Sequence, residues 1–279
     1  MRQEPFDLDS PGGKLRGFVH RPRGQAKAAV VILHGWVGYC AGPHRILYEL
    51  AEACGEADLA TLRFDFFGRG DSDGRCEEAT FARAVDDARR VAAWAQERLG
   101  EMPLMMVGMC FGASVGWRCM ELWQSMVLLS PERMAQKASL PARLATLAQH
   151  AGRIARKAVS PGAWSRLVGG QTSAGAAYRF YTRSGALPYR VELPTRRAAG
   201  ATAVLLLQGS ADPSAGAVRQ QYQVMSRKLG VRCESHVVAG ADHNFCSVAW
   251  KREAIAAAAG WLRGRVQERQ GCSNAVLDR

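Results

Sequence analysis

The chain has 279 residues and a formal net charge of +12 at pH 7, and 48% of its residues are hydrophobic and 22% charged. This composition is that of a folded globular protein and excludes an intrinsically disordered one. The opening segment MRQEPFDLDSPGGKL has no apolar run of signal-peptide length, and no stretch approaches the ~18 apolar residues of a membrane span. We therefore expect a cytoplasmic protein without a membrane span, whose eight cysteines stay reduced.

The excess of basic residues favours a solvated basic surface, because the 37 Lys and Arg residues are spread along the chain rather than clustered. An acyl substrate linked to CoA or to a carrier protein is the alternative, since its phosphate would be attracted to such a surface. Nucleic acid is disfavoured, because the chain lacks the ladder of aromatic and basic residues that binds single strands. The cysteines form no C-x-x-C pair, so we expect no metal site and no dithiol redox site.

Short apolar runs alternate with amphipathic stretches in the first part of the chain. Residues 14–20 alternate apolar and polar side chains, which predicts an edge strand. Ala28–Leu33 and residues 59–66 are apolar runs without a polar face, as expected of strands covered on both sides. Residues 45–54 are a predicted helix, and residues 80–99 are a clearer one, with apolar side chains at three- and four-residue spacing.

The same alternation continues toward the C-terminus. Further strands are predicted over residues 103–109, Ser125–Leu129, 203–207 and 233–238, and further helices over residues 111–122 and 254–263. Strands that alternate with helices of this length indicate an α/β fold with a mostly parallel central sheet and helices on both faces.

Residues 131–197 interrupt this alternation. The segment is basic, has no convincing strand, and is too long for a plain loop between two strands. We expect an inserted helical cap over the strand ends, so that residues 1–130 and 198–279 form the core. Its aromatic side chains either line an apolar substrate pocket or form the core of the cap itself. The candidates for substrate contact are Trp164, Tyr178 and Tyr181.

Cys110 stands at the turn between a predicted strand and a predicted helix. Gly108 and Gly112 flank it, and small residues are needed there because the strand and the helix approach closely. This context is that of a nucleophile elbow, in which a strained turn lifts one side chain out of the sheet. A position at a helix N-terminus is expected to lower the pKa of the thiol. The alternative is that Cys110 is buried filler, as many cysteines are.

A thiol nucleophile needs a base, and the base needs an orienting group. The strand over residues 203–207 runs into a turn that carries Asp212, and the next strand runs into a turn that carries His243. Both side chains are therefore expected at the carboxyl edge of the sheet, as the acid and the base. Asp242 and Glu132 are rival acids, because one adjoins the histidine and the other follows the Ser125–Leu129 strand.

Acyl transfer also needs donors for the negative charge that develops on the carbonyl oxygen. The backbone N–H of Phe111 follows the nucleophile and is the first candidate. The second is the N–H of Trp36, which lies in the turn after the Ala28–Leu33 strand. His34 in the same turn is interpreted as a side chain that stabilises the turn.

Together these features closely resemble the α/β-hydrolase superfamily. The matching segments are VILHGW, DFFGRGDSDG, GMCFGAS, LLLQGSADP and AGADHNF. The resemblance implies the α/β-hydrolase fold, a catalytic triad of Cys110, Asp212 and His243 in the usual chain order, and no required cofactor. The second segment is similar to the D-x-x-G-x-G-x-S loop of esterases and thioesterases, in which Asp65 and Asp71 would shape the loop.

The departure from the superfamily is the cysteine, since most members carry a serine at the elbow. A cysteine there resembles the elbows of dienelactone hydrolases and of polyester synthases. Dienelactone hydrolases lack a long cap, and their thiol-activating glutamate is not assigned in this sequence. Polyester synthases are much longer, so neither family is assigned.

A cysteine nucleophile narrows the chemistry. The thiolate leaves the tetrahedral intermediate more readily than an amine does, so a peptidase is disfavoured, and activated esters, lactones and thioesters are the preferred donors. The first hypothesis is a hydrolase that forms an acyl-cysteine with water as acceptor. The second is an acyltransferase or cyclase that passes the acyl group from a CoA or carrier-protein thioester to an amine or alcohol. The third, a binding module, is disfavoured by the full triad.

Overall fold

The computed structural model describes residues 2–36, 38–133 and 203–277, with side chains as far as residue 269 in the last helix. Its eight described strands are β1 (Arg2–Ser10), β2 (Gly13–Arg21), β3 (Ala28–Leu33), β4 (Leu59–Phe64), β5 (Leu104–Met109), β6 (Ser125–Leu129), β7 (Ala203–Gly209) and β8 (Arg232–Val238). The described helices are α1 (Ile46–Glu56), α2 (Phe81–Leu99), α3 (Phe111–Arg118), α4 (Ala215–Leu229) and α5 (Val248–Leu277).

The strands form one sheet in the order β1-β2-β4-β3-β5-β6-β7-β8. From β4 to β8 all neighbours are parallel, while β2 pairs antiparallel with both β1 and β4. The carboxyl ends of the parallel strands therefore meet at one edge of the sheet, where α/β proteins bind their ligands. This confirms the predicted fold class, an α/β-hydrolase fold with a mostly parallel sheet.

The core lies on both faces of the sheet, because the parallel strands are buried on both sides. Within β3, Val31 and Leu33 belong to the cluster under α2, α3 and α4, whereas Val30 and Ile32 belong to the cluster under α1 and α5. Each large apolar side chain buried in this way stabilises the fold by about 1.5–3 kcal/mol. The two clusters hold the strand ends in fixed positions relative to one another.

The predicted edge strand is wrong in its position. Residues 14–20 lie in β2, which is the second strand of the sheet, and the edge is β1. The sequence of β1 is largely polar, and of its side chains only Phe6 is buried, so it has little apolar signal. The helix predicted over residues 111–122 ends at Arg118, and a short 3₁₀ turn over Met120–Leu122 follows it.

The predicted cap lies outside the described residues, apart from its first three positions, 131–133. The same holds for Trp164, Tyr178 and Tyr181. Among the residues that the structure describes, no helix is long and apolar enough to cross a membrane.

Candidate active site

Cys110 occupies a strained turn between β5 and α3. Its backbone angles are φ 52° and ψ −114°, in a region that residues with a side chain rarely adopt. Such a conformation costs about 1–3 kcal/mol and persists only where the surroundings fix it. Here the Cys110 N–H donates to the Leu129 carbonyl at 2.9 Å, and the Cys110 carbonyl accepts from the Ala113 N–H at 3.1 Å. The thiol therefore stands at the carboxyl end of β5, as an elbow requires.

The small residue after the elbow is required by a close backbone approach. A Cβ atom on Gly112 would lie 2.2 Å from the Leu33 carbonyl oxygen at the end of β3. No side chain is tolerated at that distance, so glycine lets the first turn of α3 pass over β3. The helix start is thereby held beside the turn that follows β3 and carries Trp36.

Asp212 and His243 form a short hydrogen bond at the same edge of the sheet. His243 Nδ1 lies 2.6 Å from Asp212 Oδ2, and Asp212 Oδ1 accepts from the backbone N–H and the hydroxyl of Ser214 at 2.9 and 2.8 Å. Burial works to raise the pKa of Asp212, but the hydrogen bonds from His243 and Ser214 outweigh it and hold the pKa below its usual value. The carboxylate is thus ionised at neutral pH, and Nδ1 carries the proton that it accepts.

The turns that carry these two residues are joined through their backbones. The Ala211 N–H donates to the Ala241 carbonyl at 2.9 Å. A Cβ atom on Gly209 would lie 2.1 Å from the same Ala241 oxygen, so glycine is needed for this approach. Asp242, a rival acid, instead accepts from the backbone N–H groups of Asn244 and Cys246 at 3.1 and 3.0 Å and so shapes its own turn.

Glu132, the other rival acid, contacts the thiol and not the histidine. It follows β6, the neighbour of β5, and Cys110 Sγ lies 3.6 Å from its Oε1. Among the described residues no hydrogen bond joins Cys110 to His243. Burial raises the pKa of Glu132. The hydrogen bond from Cys110 and the positive charge of the nearby His243, when protonated, act in the opposite direction.

The expectation of a lowered thiol pKa is wrong for this arrangement. Burial raises the pKa of Cys110 to about 12, and the negative charge of Glu132 adds to the effect. A hydrogen bond from the Phe111 N–H at the start of α3 acts in the opposite direction and is too weak to offset them. The thiol is therefore protonated at neutral pH in this arrangement.

The turn after β3 brings Trp36 beside the start of α3. The rings of Trp36 and Phe111 are in contact, with centroids 4.7 Å apart and planes at 66°. A Cβ atom on Gly35 would lie 3.7 Å from Cys110 Cβ, so this turn passes directly by the thiol. The two predicted oxyanion donors, the N–H groups of Trp36 and Phe111, thus belong to residues that flank Cys110.

His34 and Asp65 fasten this turn to the loop after β4. His34 Nε2 accepts from the Phe66 N–H at 3.1 Å, and burial lowers the pKa of His34 to about 4, which keeps the ring neutral as this bond requires. Asp65 accepts from the N–H groups of Cys40 at 2.6 Å and Asp71 at 3.0 Å. His34 thus stabilises the turn and Asp65 shapes the loop, which are the structural roles that the sequence indicated.

Comparison with known proteins agrees with this architecture. A family model described as the alpha/beta hydrolase family matches residues 30–258. The chain belongs to this α/β hydrolase family. No curated protein matches the sequence at a significant level.

Solved structures of low sequence identity share the fold of this α/β hydrolase. Est1E from Butyrivibrio proteoclasticus is 16% identical with a TM-score of 0.62, and the match covers 94% of this chain and 99% of that one. Dienelactone hydrolase from Anabaena variabilis is 15% identical with a TM-score of 0.60, and the match covers 93% and 96%. An alpha-beta serine hydrolase homologue from Coxiella burnetii is 18% identical with a TM-score of 0.57 and coverage of 94% and 96%. At these identities the likeness shows the fold alone.

The contact between Glu132 and the thiol is the part of this hydrolase's site that the sequence did not indicate. The strand ends predicted the neighbourhood of Cys110, Asp212, His243 and Glu132, but not which carboxylate faces which partner. A carboxylate directly after the strand next to the elbow is the signal that could have suggested the contact. Among the described residues, no group of three or more His, Cys, Asp or Glu side chains is arranged to hold a metal ion.

Proposed function

We propose that this α/β hydrolase cleaves an activated acyl substrate, a carboxylic ester, lactone or thioester, through an acyl-cysteine intermediate on Cys110. His243 is the general base and Asp212 orients it. The observation that carries the proposal is the 2.6 Å hydrogen bond between Asp212 and His243, at the sheet edge where the strained elbow presents Cys110. A nucleophile, a base and an orienting carboxylate within one site form the triad arrangement of acyl-transfer enzymes.

The Asp212–His243 pair fixes which nitrogen can act as the base. Because Nδ1 donates its proton to the ionised Asp212, Nε2 is the nitrogen that can take a proton from the thiol. The His243 side chain is 37% exposed, so the ring is accessible to a water molecule. Asp212 also stabilises the imidazolium that forms, which is the part an orienting carboxylate plays in such triads.

The resting thiol must first leave Glu132. Its proton is directed at Oε1 of Glu132 at 3.6 Å, and burial together with this carboxylate keeps the pKa of the thiol high. Activation therefore requires Sγ to turn from Glu132 toward Nε2 of His243. A thiol that is neutral at rest is also protected from oxidation and alkylation, which attack the thiolate.

The reaction then proceeds in two acyl-transfer steps. His243 Nε2 takes the thiol proton, Sγ attacks the acyl carbon, and the carbonyl oxygen becomes an oxyanion next to the N–H groups of Trp36 and Phe111. The leaving alkoxide or thiolate takes the proton from His243, and the acyl group remains on Cys110 as a thioester. A water molecule that gives its proton to His243 attacks this thioester. Sγ then leaves and takes that proton back from His243 as the carboxylic acid is released.

The choice of donor follows from the thiol. In the tetrahedral intermediate the better leaving group departs, and a thiolate is better than an amine anion. The tetrahedral intermediate from a plain amide therefore expels the thiolate and returns to starting material. The intermediate from an ester with a good leaving group, a strained lactone or a thioester goes on to the acyl-enzyme. Amines and alcohols, like water, can attack the acyl-thioester. Experiment must therefore distinguish acyl transfer from hydrolysis.

The nucleophile is tested with p-nitrophenyl esters. Cys110→Ala is expected to reduce turnover by at least about 10³-fold, while Cys110→Ser keeps a small residual rate, because a hydroxyl can still be acylated. Cys246→Ala is the matched control, since Cys246 is an exposed thiol near the same edge and should be dispensable. Wild-type activity in Cys110→Ala would exclude the proposal.

The donor and the acceptor are read from intact-mass spectrometry. The enzyme is mixed with acyl-CoA thioesters and with simple esters, and an acyl adduct is expected on Cys110 and absent from Cys110→Ala. Chasing the adduct with water, amines or alcohols then identifies the acceptor. Decay at the same rate in water alone and with added nucleophile means hydrolysis, whereas acceleration by an amine or alcohol means transfer.

A further inference from the structure

The turn after β3, which carries Trp36, is in contact with a cation for which the described residues provide no counter-ion. Arg69, in the loop after β4, lies with its Cζ 4.7 Å from the centre of the Trp36 ring. Its Nη1 donates to Cys76 Sγ, and its Nη2 is buried and makes no hydrogen bond with the described residues. No carboxylate of the described residues lies within ion-pair distance of Arg69, although part of its guanidinium is buried.

The Trp36 ring, which lies under this cation, also packs against Phe111, whose amide is the other proposed oxyanion donor. Phe111 contacts Trp36 edge-to-face, and Phe66 and Phe81 also meet the Phe111 ring edge-on, each with centroids 5.8 Å apart. Edge-to-face contacts and a cation over a ring fix the relative orientation of the groups, since both depend on the ring's charge distribution. The spacing of the Trp36 and Phe111 amides thus depends on side chains as well as on the backbone.

The positive charge of Arg69 also reaches the turn itself. It contributes to the lowered pKa of His34, after burial has made the main contribution. The guanidinium, Trp36 and Phe111 line one small cavity beside the elbow. A positive charge that no described carboxylate neutralises, beside two N–H donors, favours the oxyanion more than the neutral carbonyl that precedes it.

We propose that Arg69 is a positioning residue for the oxyanion hole: it holds the Trp36 ring against Phe111 and makes the turn electropositive. The inference rests on the proposed function, because it assumes that the Trp36 and Phe111 amides receive the oxyanion. Arg69 touches neither the nucleophile nor the reacting atoms. Its effect should therefore fall on the rate of the chemical step and leave substrate affinity nearly unchanged.

The test compares a ligand that uses the oxyanion hole with one that does not. An n-alkanal of the same chain length as the best p-nitrophenyl ester adds to Cys110: sulfur bonds to the aldehyde carbon, His243 takes the thiol proton, and the oxygen becomes an oxyanion beside the Trp36 and Phe111 amides. Iodoacetamide alkylates the same sulfur with loss of iodide and forms no oxyanion. In Arg69→Met, kcat and aldehyde affinity should each fall about tenfold, with KM within about twofold and the alkylation rate within about threefold.

Two further variants separate positioning from general damage. Arg69→Lys, which keeps a cation over the ring, should recover kcat to within about threefold of the wild type. Arg98→Met is the matched control, because Arg98 also lies over a tryptophan ring, Trp94, at 5.8 Å and away from the site. It should leave kcat and aldehyde affinity unchanged.

The outcomes decide between the two proposals. Equal losses of aldehyde affinity and alkylation rate in Arg69→Met would overturn the inference about Arg69, as would equal losses in Arg69→Lys and Arg69→Met. A wild type that forms no aldehyde adduct on Cys110 would overturn the proposed nucleophile itself. A fall in aldehyde affinity that occurs in Arg69→Met, and in neither Arg69→Lys nor Arg98→Met, supports both the proposed nucleophile and the inference about Arg69.

Discussion

Two carboxylates follow neighbouring strands of the same sheet, and their surroundings differ. Asp212 follows β7 and accepts hydrogen bonds from His243 and, twice, from Ser214. Glu132 follows β6 and, among the described residues, accepts only from the weak S–H donor of Cys110. The pKa of Asp212 is accordingly held below its usual value, whereas burial raises the pKa of Glu132. The two carboxylates lie at the same edge of the sheet, and their pKa values differ because Asp212 has more hydrogen-bond donors than Glu132.

This difference divides the work of the site. In the proposed mechanism Asp212 stays ionised and fixes the orientation of His243, while burial and the charge of Glu132 keep the resting thiol protonated. One carboxylate would thus support the base and the other restrain the nucleophile. Neutralising each in turn should change the enzyme in opposite directions, which makes the comparison testable.

Asp212→Asn is expected to have the largest effect. An amide at this position can donate to Nδ1 and so favours the wrong histidine tautomer, which costs about 10⁴-fold in kcat in a Ser-His-Asp protease. We expect a fall of about 10³–10⁴-fold in kcat for the best p-nitrophenyl ester, with KM little changed. The measurement is steady-state kinetics from pH 5 to 9.

The control for that variant is Asp242→Asn, one position before the histidine. Asp242 accepts from groups of its own turn, the backbone N–H groups of Asn244 and Cys246 and the Cys246 thiol, so its loss should change kcat by less than about threefold. Equal losses in the two variants would mean that Asp212 acts only by shaping its turn.

Glu132→Gln is expected to act in the opposite direction, on the thiol. The negative charge of Glu132 raises the pKa of Cys110, so removing it lowers that pKa and increases the thiolate fraction at every pH below it. Because a nearby charge shifts a pKa by about one unit or more, alkylation of Cys110 by iodoacetamide at pH 8 should become about tenfold faster. The rate is followed by mass spectrometry in a Cys246→Ala background, which removes an exposed competing thiol.

The matched control is Glu121→Gln, because Glu121 is an exposed glutamate that pairs with Arg89 away from the site. It should leave the alkylation rate unchanged. A slower reaction in Glu132→Gln would show that Glu132 accepts the thiol's proton and promotes thiolate formation, which is the reverse of the restraint proposed here.

The sequence predicts the frame of the site because that frame depends on local patterns. An apolar run followed by a short turn places a side chain at a strand end, which is why the positions of Cys110, Asp212 and His243 are predictable. The edge strand β1 and helix α4 are less visible, because β1 is mostly polar and exposed and α4 has no side-chain cap. Their positions depend on tertiary contacts that propensity does not record.

The partner of each carboxylate is not predictable in the same way. Asp212 and Glu132 both follow buried strands, and which of them meets His243 depends on contacts such as the approach of Gly209 to Ala241, far apart in the chain. The expected pKa of the thiol fails for a related reason. The helix N-terminus is visible in the sequence, whereas the burial of Cys110 and the charge of Glu132 outweigh it only once the fold is formed.

Ser214→Ala should have the smallest effect and sharpens the account of Asp212. The variant removes the hydroxyl donor at 2.8 Å and keeps the backbone N–H of Ser214. With one donor fewer, the carboxylate binds protons more readily, so the pKa of Asp212 rises.

The acid limb of the kcat/KM profile should then move to higher pH by less than about one unit, because one hydrogen bond is worth about 1 kcal/mol. Because the pKa of Asp212 starts below its usual value, activity should fall only below about pH 5 and stay within about twofold at pH 8. Ser210→Ala removes a hydroxyl that accepts from the Gly240 N–H without contacting Asp212, and it should leave the limb in place. A shift of equal size in both variants would indicate that the turn, and not the donor to Asp212, sets the ionisation of the acid.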